Sequence, residues 1–288
     1  MEYFYWNPQK EIFTLPLVNH PIAWYGALFA LGFAVGYYQY LSLLKKYFNF
    51  KGITSSPELE KKLVERLSIY IVLATVIGAR LFHFIFYENP SEYLLHPQVL
   101  LQTWKGGLAS HGAAIAILFA TYRFSRWTQK LAPISWLSCL DMLVVPTALA
   151  GCWIRLGNFI NQEILGTKTF VPWAVVFGSP MDGSLPFPRH PVQLYEAFAY
   201  FSIFVLLFFK ARKKEVLLKE GRLLGLFLIL VFSARFVLEF FKEEQSLFFS
   251  SFLTMGQLLS VPFVFLGFFL FRRKLFFSSD TGNFNSRI

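Results

Sequence analysis

An all-α, polytopic integral membrane protein with about seven transmembrane helices is the fold class this 288-residue chain predicts. Three observations predict it. Hydrophobic residues make up 55% and charged residues only 15%, against about 25% charged in soluble globular proteins. Mean hydropathy is +0.48. Thirty-six Phe, spread along the whole chain, supply more apolar surface than a water-facing exterior of this size could hide. Disorder and a pair of soluble domains are both excluded by this composition.

Seven stretches are apolar enough and near the ~17 to 25 residues a bilayer requires: 22–44, 67–87, 107–122, 134–156, 191–209, 223–241 and 255–271. The third is short and the fourth carries Pro146. Both can tilt, break or enter from an interfacial segment, because neighbouring helices satisfy backbone groups that Gly and Pro set free. The segment 157–190 is the longest loop. It combines an apolar, strand-like run at 173–177 with a turn signal at Asp182-Gly183, and reads as a small extracytoplasmic head within a single membrane domain, 1–288. Residues 89–105 place Tyr93, Leu94, Val99, Leu100 and Trp104 among polar neighbours, as an interfacial arm with a Trp anchor does. The first residues lack a basic flank leading into an apolar core, so no cleavable signal peptide is expected. No internal repeat is visible.

Orientation follows from charge. Alternate flanking segments hold 5 and 19 of the 27 Lys and Arg, and Arg80, Arg155 and Arg235 inside the spans are the remainder. Basic residues in short loops stay cytoplasmic. The N-terminus is therefore expected outside and the C-terminus inside. The net charge of +10 does not imply a nucleic-acid partner, because the basic residues fall in short clusters between apolar runs instead of along one face. Cys139 and Cys152 stand about 20 Å apart along one expected helix, too far to bridge each other.

With that topology each polar residue inside a span acquires a depth. Tyr25, Arg80, His83, His111, Arg155, Glu196, Arg235 and Glu239 all fall toward the outer side, and Asp141 alone toward the inner. An Arg at a helix centre costs ~2.5 to 3.5 kcal/mol on insertion scales and usually faces a wet cavity or a partner. Three at one level predict a shared polar chamber. The blander alternative is that each Arg snorkels or makes one ion pair, as Arg235 and Glu239 at i and i+4 could; it leaves the neighbouring His and Asn at the same depth unexplained. A cationic chamber opening to one leaflet suits an anionic phospholipid headgroup, since Arg forks match phosphate bidentately. His111 is then the candidate acid or base, because imidazole titrates near neutrality; packing among the surrounding Gly residues is its structural alternative.

Ser110 beside His111 does not make a nucleophile and base, because adjacent helical side chains point about 100° apart. There is no His-Glu-x-x-His zinc motif, Gly-x-Ser-x-Gly elbow or P-loop.

The motif strings carry a resemblance. Trp24-Tyr25-Gly26, Gly78-Ala79-Arg80, Gly106-Gly107-Leu108-Ala109-Ser110-His111-Gly112 and Arg155-Leu156-Gly157-Asn158-Phe159-Ile160-Asn161-Gln162-Glu163, followed by Gly166, stand in this order. Arg189-His190-Pro191-Val192-Gln193-Leu194-Tyr195-Glu196 and Arg235-Phe236-Val237-Leu238-Glu239-Phe240 complete the set. The chain resembles bacterial prolipoprotein diacylglyceryl transferases over most of its length. It departs at Ala23, Ala113 and Ile154, which touches local packing more than chemistry. The resemblance implies a multi-pass enzyme of the bacterial inner membrane. Its reaction moves a diacylglyceryl group from phosphatidylglycerol to the thiol of the lipobox cysteine in a prolipoprotein signal peptide, with glycerol phosphate released. It implies that Arg155 and Arg235 bind and stabilise the phosphate, that Asn158, Glu163 and Gly166 line the headgroup site with Arg80 contributing, that Tyr25 supplies a hydroxyl and that Glu239 orients Arg235. His111 becomes the candidate base for the thiol. No metal or organic cofactor is expected. A transporter or flippase for an anionic lipid or solute is the alternative, disfavoured because such proteins more often show repeat symmetry and a midplane site. An intramembrane protease is disfavoured by the missing catalytic pairs.

Overall fold

The computed structural model describes residues 2–16, 20–87, 109–243 and 253–273. The expected arm at 89–105 lies outside them. The chain is mostly helical, as expected: α1 (Trp24–Lys51), α2 (Pro57–Tyr87), α3 (Ser110–Thr128), α4 (Trp136–Asn161), α5 (Val192–Lys210), a single turn α6 (Lys214–Leu217), α7 (Arg222–Leu238), continued by a 3-10 turn at Glu239–Phe241, and α8 (Met255–Arg272). Among the described residues six of these are long and apolar enough to cross a membrane: Trp24–Lys51, Pro57–Tyr87, Trp136–Asn161, Val192–Lys210, Arg222–Phe241 and Met255–Arg272. The remaining expected span, the third at 107–122, corresponds to α3. It forms a helix of 19 residues, but Arg123 and Arg126 in its last turns leave it short of the apolarity of the others.

Helix ends differ from the apolar runs for local reasons. The start of α2 lies ten residues ahead of the apolar run, with Pro57 at the first helical position, Glu58 and Glu60 in the first turn and the Ser56 hydroxyl accepting the Leu59 N–H at 3.2 Å. Pro needs no intrahelical donor there, and acidic residues favour the positive end of the helix. At the other end of the preceding helix, α1 runs on to Lys51 because Tyr47 and Phe48 are fully buried.

The chain forms two compact units. The second, 37–140, is held by α2 against α3. A Cβ on Gly78 would lie 2.6 Å from the Gly112 carbonyl oxygen, so only small residues permit that approach. On this unit's other side Tyr47 donates to the Ser138 hydroxyl at 3.2 Å, and Arg66 stacks over the Trp127 ring at 3.9 Å.

The first unit, 1–36 with 141–288, contains α5, α7 and α8 and a small head built on β-strands, to which the N-terminal residues contribute one. The strand-like run at 173–177 does form a strand, β4 (Val175–Phe177). It pairs in parallel with β1 (Phe4–Trp6), Phe4 opposite Val175 and Trp6 opposite Phe177, and antiparallel with β5 (Pro188–Arg189). β2 (Glu11–Leu15) and β3 (His20–Ala23) make a separate hairpin leading into α1. Phe159, Leu165, Val175 and Phe177 form the head's core, with Trp6 and Leu194 packed against it. Trp6 stacks on Phe159 with ring centres 4.7 Å apart and donates its indole N–H to the Phe159 carbonyl at 3.0 Å. The core thus grips the last turn of α4, which carries the Arg155 motif.

Candidate functional site

In the first unit the polar residues converge where α4 ends and the head begins. Arg155, only 13% exposed, places Nε 3.0 Å from Oε2 of the fully buried Glu196 on α5 and donates through Nη1 to Asn158 Oδ1 at 3.2 Å. Asn158 in turn donates to Glu163 Oε1 at 2.6 Å, and Asn161 does so at 3.4 Å. The i, i+3 spacing on α4 brings Arg155 and Asn158 to one face; a reversal of the chain then returns Glu163 to them. That reversal is sharp. Gln162 and Ile164 take φ of 58° and 57°, a left-handed conformation that is unfavourable for a β-branched Ile and that concentrates at functional sites. The rest of the head stabilises it: the Gln162 side chain donates to Asn7 and accepts from Ser179 N–H at 2.9 and 2.7 Å, and Gln193 donates to the Glu163 carbonyl at 2.8 Å. A cavity of about 240 Å³ opens beside the reversal, lined by Glu163, Ile164 and Asp182 among others.

Tyr25, at the start of α1, packs against Gly157. A Cβ there would lie 2.7 Å from the Tyr25 ring, so the glycine admits the ring, and Tyr25 stays within electrostatic reach of Glu163 and Arg155. Tyr200, on α5, reaches Arg155, Glu196 and Arg235 electrostatically. It ties Arg235 to the same cluster. Gly166 leaves no room for a side chain, since a Cβ would stand 3.0 Å from the His190 carbonyl carbon, and its backbone bridges to Lys242.

The expected pairing of Glu239 with Arg235 does not form among the described residues. Glu239 instead lies 3.2 Å from Lys242 Nζ and against Gly256 at the start of α8. The backbone keeps the i, i+4 relation, since the Glu239 N–H donates to the Arg235 carbonyl; the carboxylate is instead drawn to Lys242, which the following 3-10 turn brings to i+3. A carboxylate at a helix N-terminus is favoured by the helix dipole, which gives Glu239 a second reason to face α8. Lys242 itself, and the part played by Glu196, were missed in the sequence. Lys242 also lies 2.9 Å from Glu196 Oε1; its signal was that it is the one basic residue in an otherwise uncharged-to-acidic stretch after span six. Arg189, 2% exposed, pairs with Glu243 and donates to the Gly166 carbonyl at 3.1 Å. The Tyr195 hydroxyl links Trp173 Nε1 at 2.7 Å to His190 Nδ1 at 3.2 Å. Burial holds the His190 imidazole below its ordinary pKa.

The second unit brings together two more of the motifs. Ala109 N–H donates to the Ala79 carbonyl at 3.0 Å, so Ser110-His111-Gly112 lies against Gly78-Ala79-Arg80. Arg80 is buried. His111 is exposed at the start of α3, with Nε2 3.4 Å from the Tyr87 hydroxyl and the Phe82 ring edge-on at 6.5 Å.

This convergence of the Arg155, Gly166, His190 and Glu239 strings is matched by similarity over nearly the whole chain. Residues 11–273 match the profile of a family described as prolipoprotein diacylglyceryl transferase. The chain belongs to that family. Among its relatives, the phosphatidylglycerol-prolipoprotein diacylglyceryl transferase of Tolumonas auensis is 45% identical, over 91% of this chain and 94% of the relative. Those of Chloroherpeton thalassium and Protochlamydia amoebophila are 42% and 35% identical, over 92% and 95% of this chain and 92% and 96% of their own lengths. The described residues of the motifs fold into two local clusters, one in each unit.

Proposed function

We propose that this chain transfers the diacylglyceryl group of phosphatidylglycerol to the lipobox cysteine of prolipoproteins, the first step of lipoprotein maturation. The observation that carries the reading is family membership from residue 11 to residue 273. In the reaction the cysteine sulfur attacks the glycerol carbon bearing the phosphate. A C–S bond forms, the C–O bond breaks, and glycerol phosphate leaves with the electron pair. A thiol of pKa ~8.5 needs to lose its proton to attack well, and His111 is assigned as the base by its chemistry. Arg155 and Arg235 are assigned to the phosphate, where a guanidinium fork stabilises charge that grows as the C–O bond breaks. Arg155 suits this because Glu196 pairs with it through charge and Asn158 accepts from Nη1, which restrains the guanidinium before lipid arrives. Asn158, Glu163, Gly166, Arg80 and Glu239 complete the headgroup site in this reading, and Tyr25 supplies its hydroxyl.

Seven spans, counting α3, with the N-terminus outside and the active side toward the outer leaflet of the bacterial inner membrane, agree with the distribution of Lys and Arg. Purified protein incubated with phosphatidylglycerol and a lipobox peptide should add the mass of a diacylglyceryl group to the peptide. A peptide with Ser in place of the cysteine should remain unmodified, and modification of both would rule out thiol-directed transfer.

A further inference from the structure

Glu196 and Lys242 are the two charged residues at the centre of the first cluster to which the motifs gave no role. Glu196 is fully buried, and its two oxygens face different cations: Oε2 lies 3.0 Å from Arg155 Nε and Oε1 2.9 Å from Lys242 Nζ. We propose that Glu196 and Lys242 form a positioning pair for the anionic lipid, in which Glu196 fixes the Arg155 guanidinium and Lys242 offsets the Glu196 charge so that Arg155 remains attractive to phosphate. The proposal rests on phosphatidylglycerol being the donor lipid.

A buried carboxylate beside Arg155 is needed to hold the guanidinium in place, yet alone it would cancel the charge that the phosphate is meant to meet. Lys242 removes that conflict. Among the described residues, Arg155 and Lys242, with Arg235 in electrostatic reach through Tyr200, stand with the carboxylates of Glu163, Glu196 and Glu239. Without Lys242 the carboxylates are in excess, and an arriving phosphodiester is repelled. Neither Glu196 oxygen receives a well-directed N–H, so the pairing acts through charge and leaves the directed donors of Arg155 to Asn158, to Tyr200 and to the ligand. The ammonium is placed by the backbone as well as by its partners. Residue 242 bridges to Gly166, with Thr167 N–H donating to the Phe241 carbonyl at 2.8 Å and Glu243 N–H to the Leu165 carbonyl at 3.1 Å. Removing the Lys charge therefore leaves the strand contact that holds the segment.

The test is a charge cycle on the full-length protein in phosphatidylcholine nanodiscs, with phosphatidylglycerol binding measured beside KM and kcat for transfer. Lys242→Met should weaken phosphatidylglycerol binding and raise its KM by about tenfold while kcat at saturating lipid stays within about threefold, as expected for loss of ground-state attraction. In the Glu196→Gln/Lys242→Met double variant, where both charges are gone, binding should return to within about threefold of native, the non-additivity expected of coupled neighbours, while kcat falls because Arg155 is no longer fixed. Lys242→Arg should bind as native does. A merely structural pair predicts the opposite: a double variant that binds more weakly than Lys242→Met overturns the proposal, as does native-like binding by Lys242→Met. If Lys242→Met fails to fold, the double variant decides, and its failure to bind the lipid counts against the pair. A native protein that binds phosphatidylglycerol no better than phosphatidylcholine overturns the donor reading itself; native binding with a variant series that ignores the cycle overturns this inference alone.

Discussion

Arg155 divides its guanidinium among several partners: Glu196 through Nε, Asn158 through Nη1, and Tyr200. Lysine cannot divide itself in this way, since an ammonium is a point charge on a flexible stem. Arg155→Lys should therefore lower transfer by about a hundredfold or more, in the range seen when one preorganised donor is lost, with the amount of inserted protein unchanged. Near-native turnover would show that charge alone matters there. For His111 the expected signature is kinetic. His111→Gln keeps a hydrogen-bonding side chain but cannot take a proton at neutral pH, so phosphatidylglycerol binding should stay near native while transfer slows. Transfer should recover as pH rises from about 6 toward 9 and the substrate thiol of pKa ~8.5 ionises unaided. Lost binding with an unchanged pH profile would move His111 from proton transfer to the headgroup. Arg155 was legible in the sequence because a charge inside an apolar span is costly enough to need a reason, whereas Asn158 and Glu163, past the end of that apolar run, were reached only through the family resemblance. Lys242 was not legible, because a single basic residue just past a span forms no motif, and only the fold turns it inward to Glu196. The pairing of Glu239 was not legible because its carboxylate turns to Lys242 and Gly256, tertiary neighbours that the i, i+4 spacing from Arg235 does not announce.

At the scale of elements, helix existence was legible and helix ends were not. Apolar runs report the lipid-facing length, whereas α1 and α2 extend beyond it on buried or capped turns. The head's strands were half legible. The run at 173–177 announced itself by composition, but its parallel partner β1 is some 170 positions away in sequence and carries no pattern of its own over three residues. Asp141, the one intramembrane acid expected on the inner side, proves to be an element-level device. Its Oδ2 accepts the Gly221 N–H at 2.6 Å and its Oδ1 the Leu224 N–H at 2.7 Å, so a carboxylate on α4 caps the start of α7, where Gly221 offers no side chain of its own. Asp141→Asn presents an amide donor to one of these backbone donors and should destabilise the protein by about 1–3 kcal/mol, the cost of a buried donor left unsatisfied. A lowered midpoint of thermal unfolding in detergent would register it; an unchanged midpoint would remove Asp141 from the capping role.

At the scale of the molecule, orientation is an argument from charge, with the Lys and Arg of the flanking segments divided 19 to 5. A reporter fused after Arg273 should be cytoplasmic and one inserted near Asp182 extracytoplasmic. Reversed signals would place the Arg155 cluster toward the inner leaflet and undo the outer-leaflet reading. Family membership and the cluster around Arg155 make a stronger claim, that the lipid is cleaved and its diacylglyceryl part handed to a thiol. The most direct measurement uses phosphatidylglycerol labelled with phosphorus-32 and a lipobox peptide, counting released glycerol phosphate against lipidated peptide in one reaction. Direct displacement predicts one glycerol phosphate per thioether, with neither product in the absence of the peptide. Glycerol phosphate released without thioether would mark a lipid hydrolase, and lipid bound or moved with no phosphate released would mark a transporter; either result contradicts the transfer reaction.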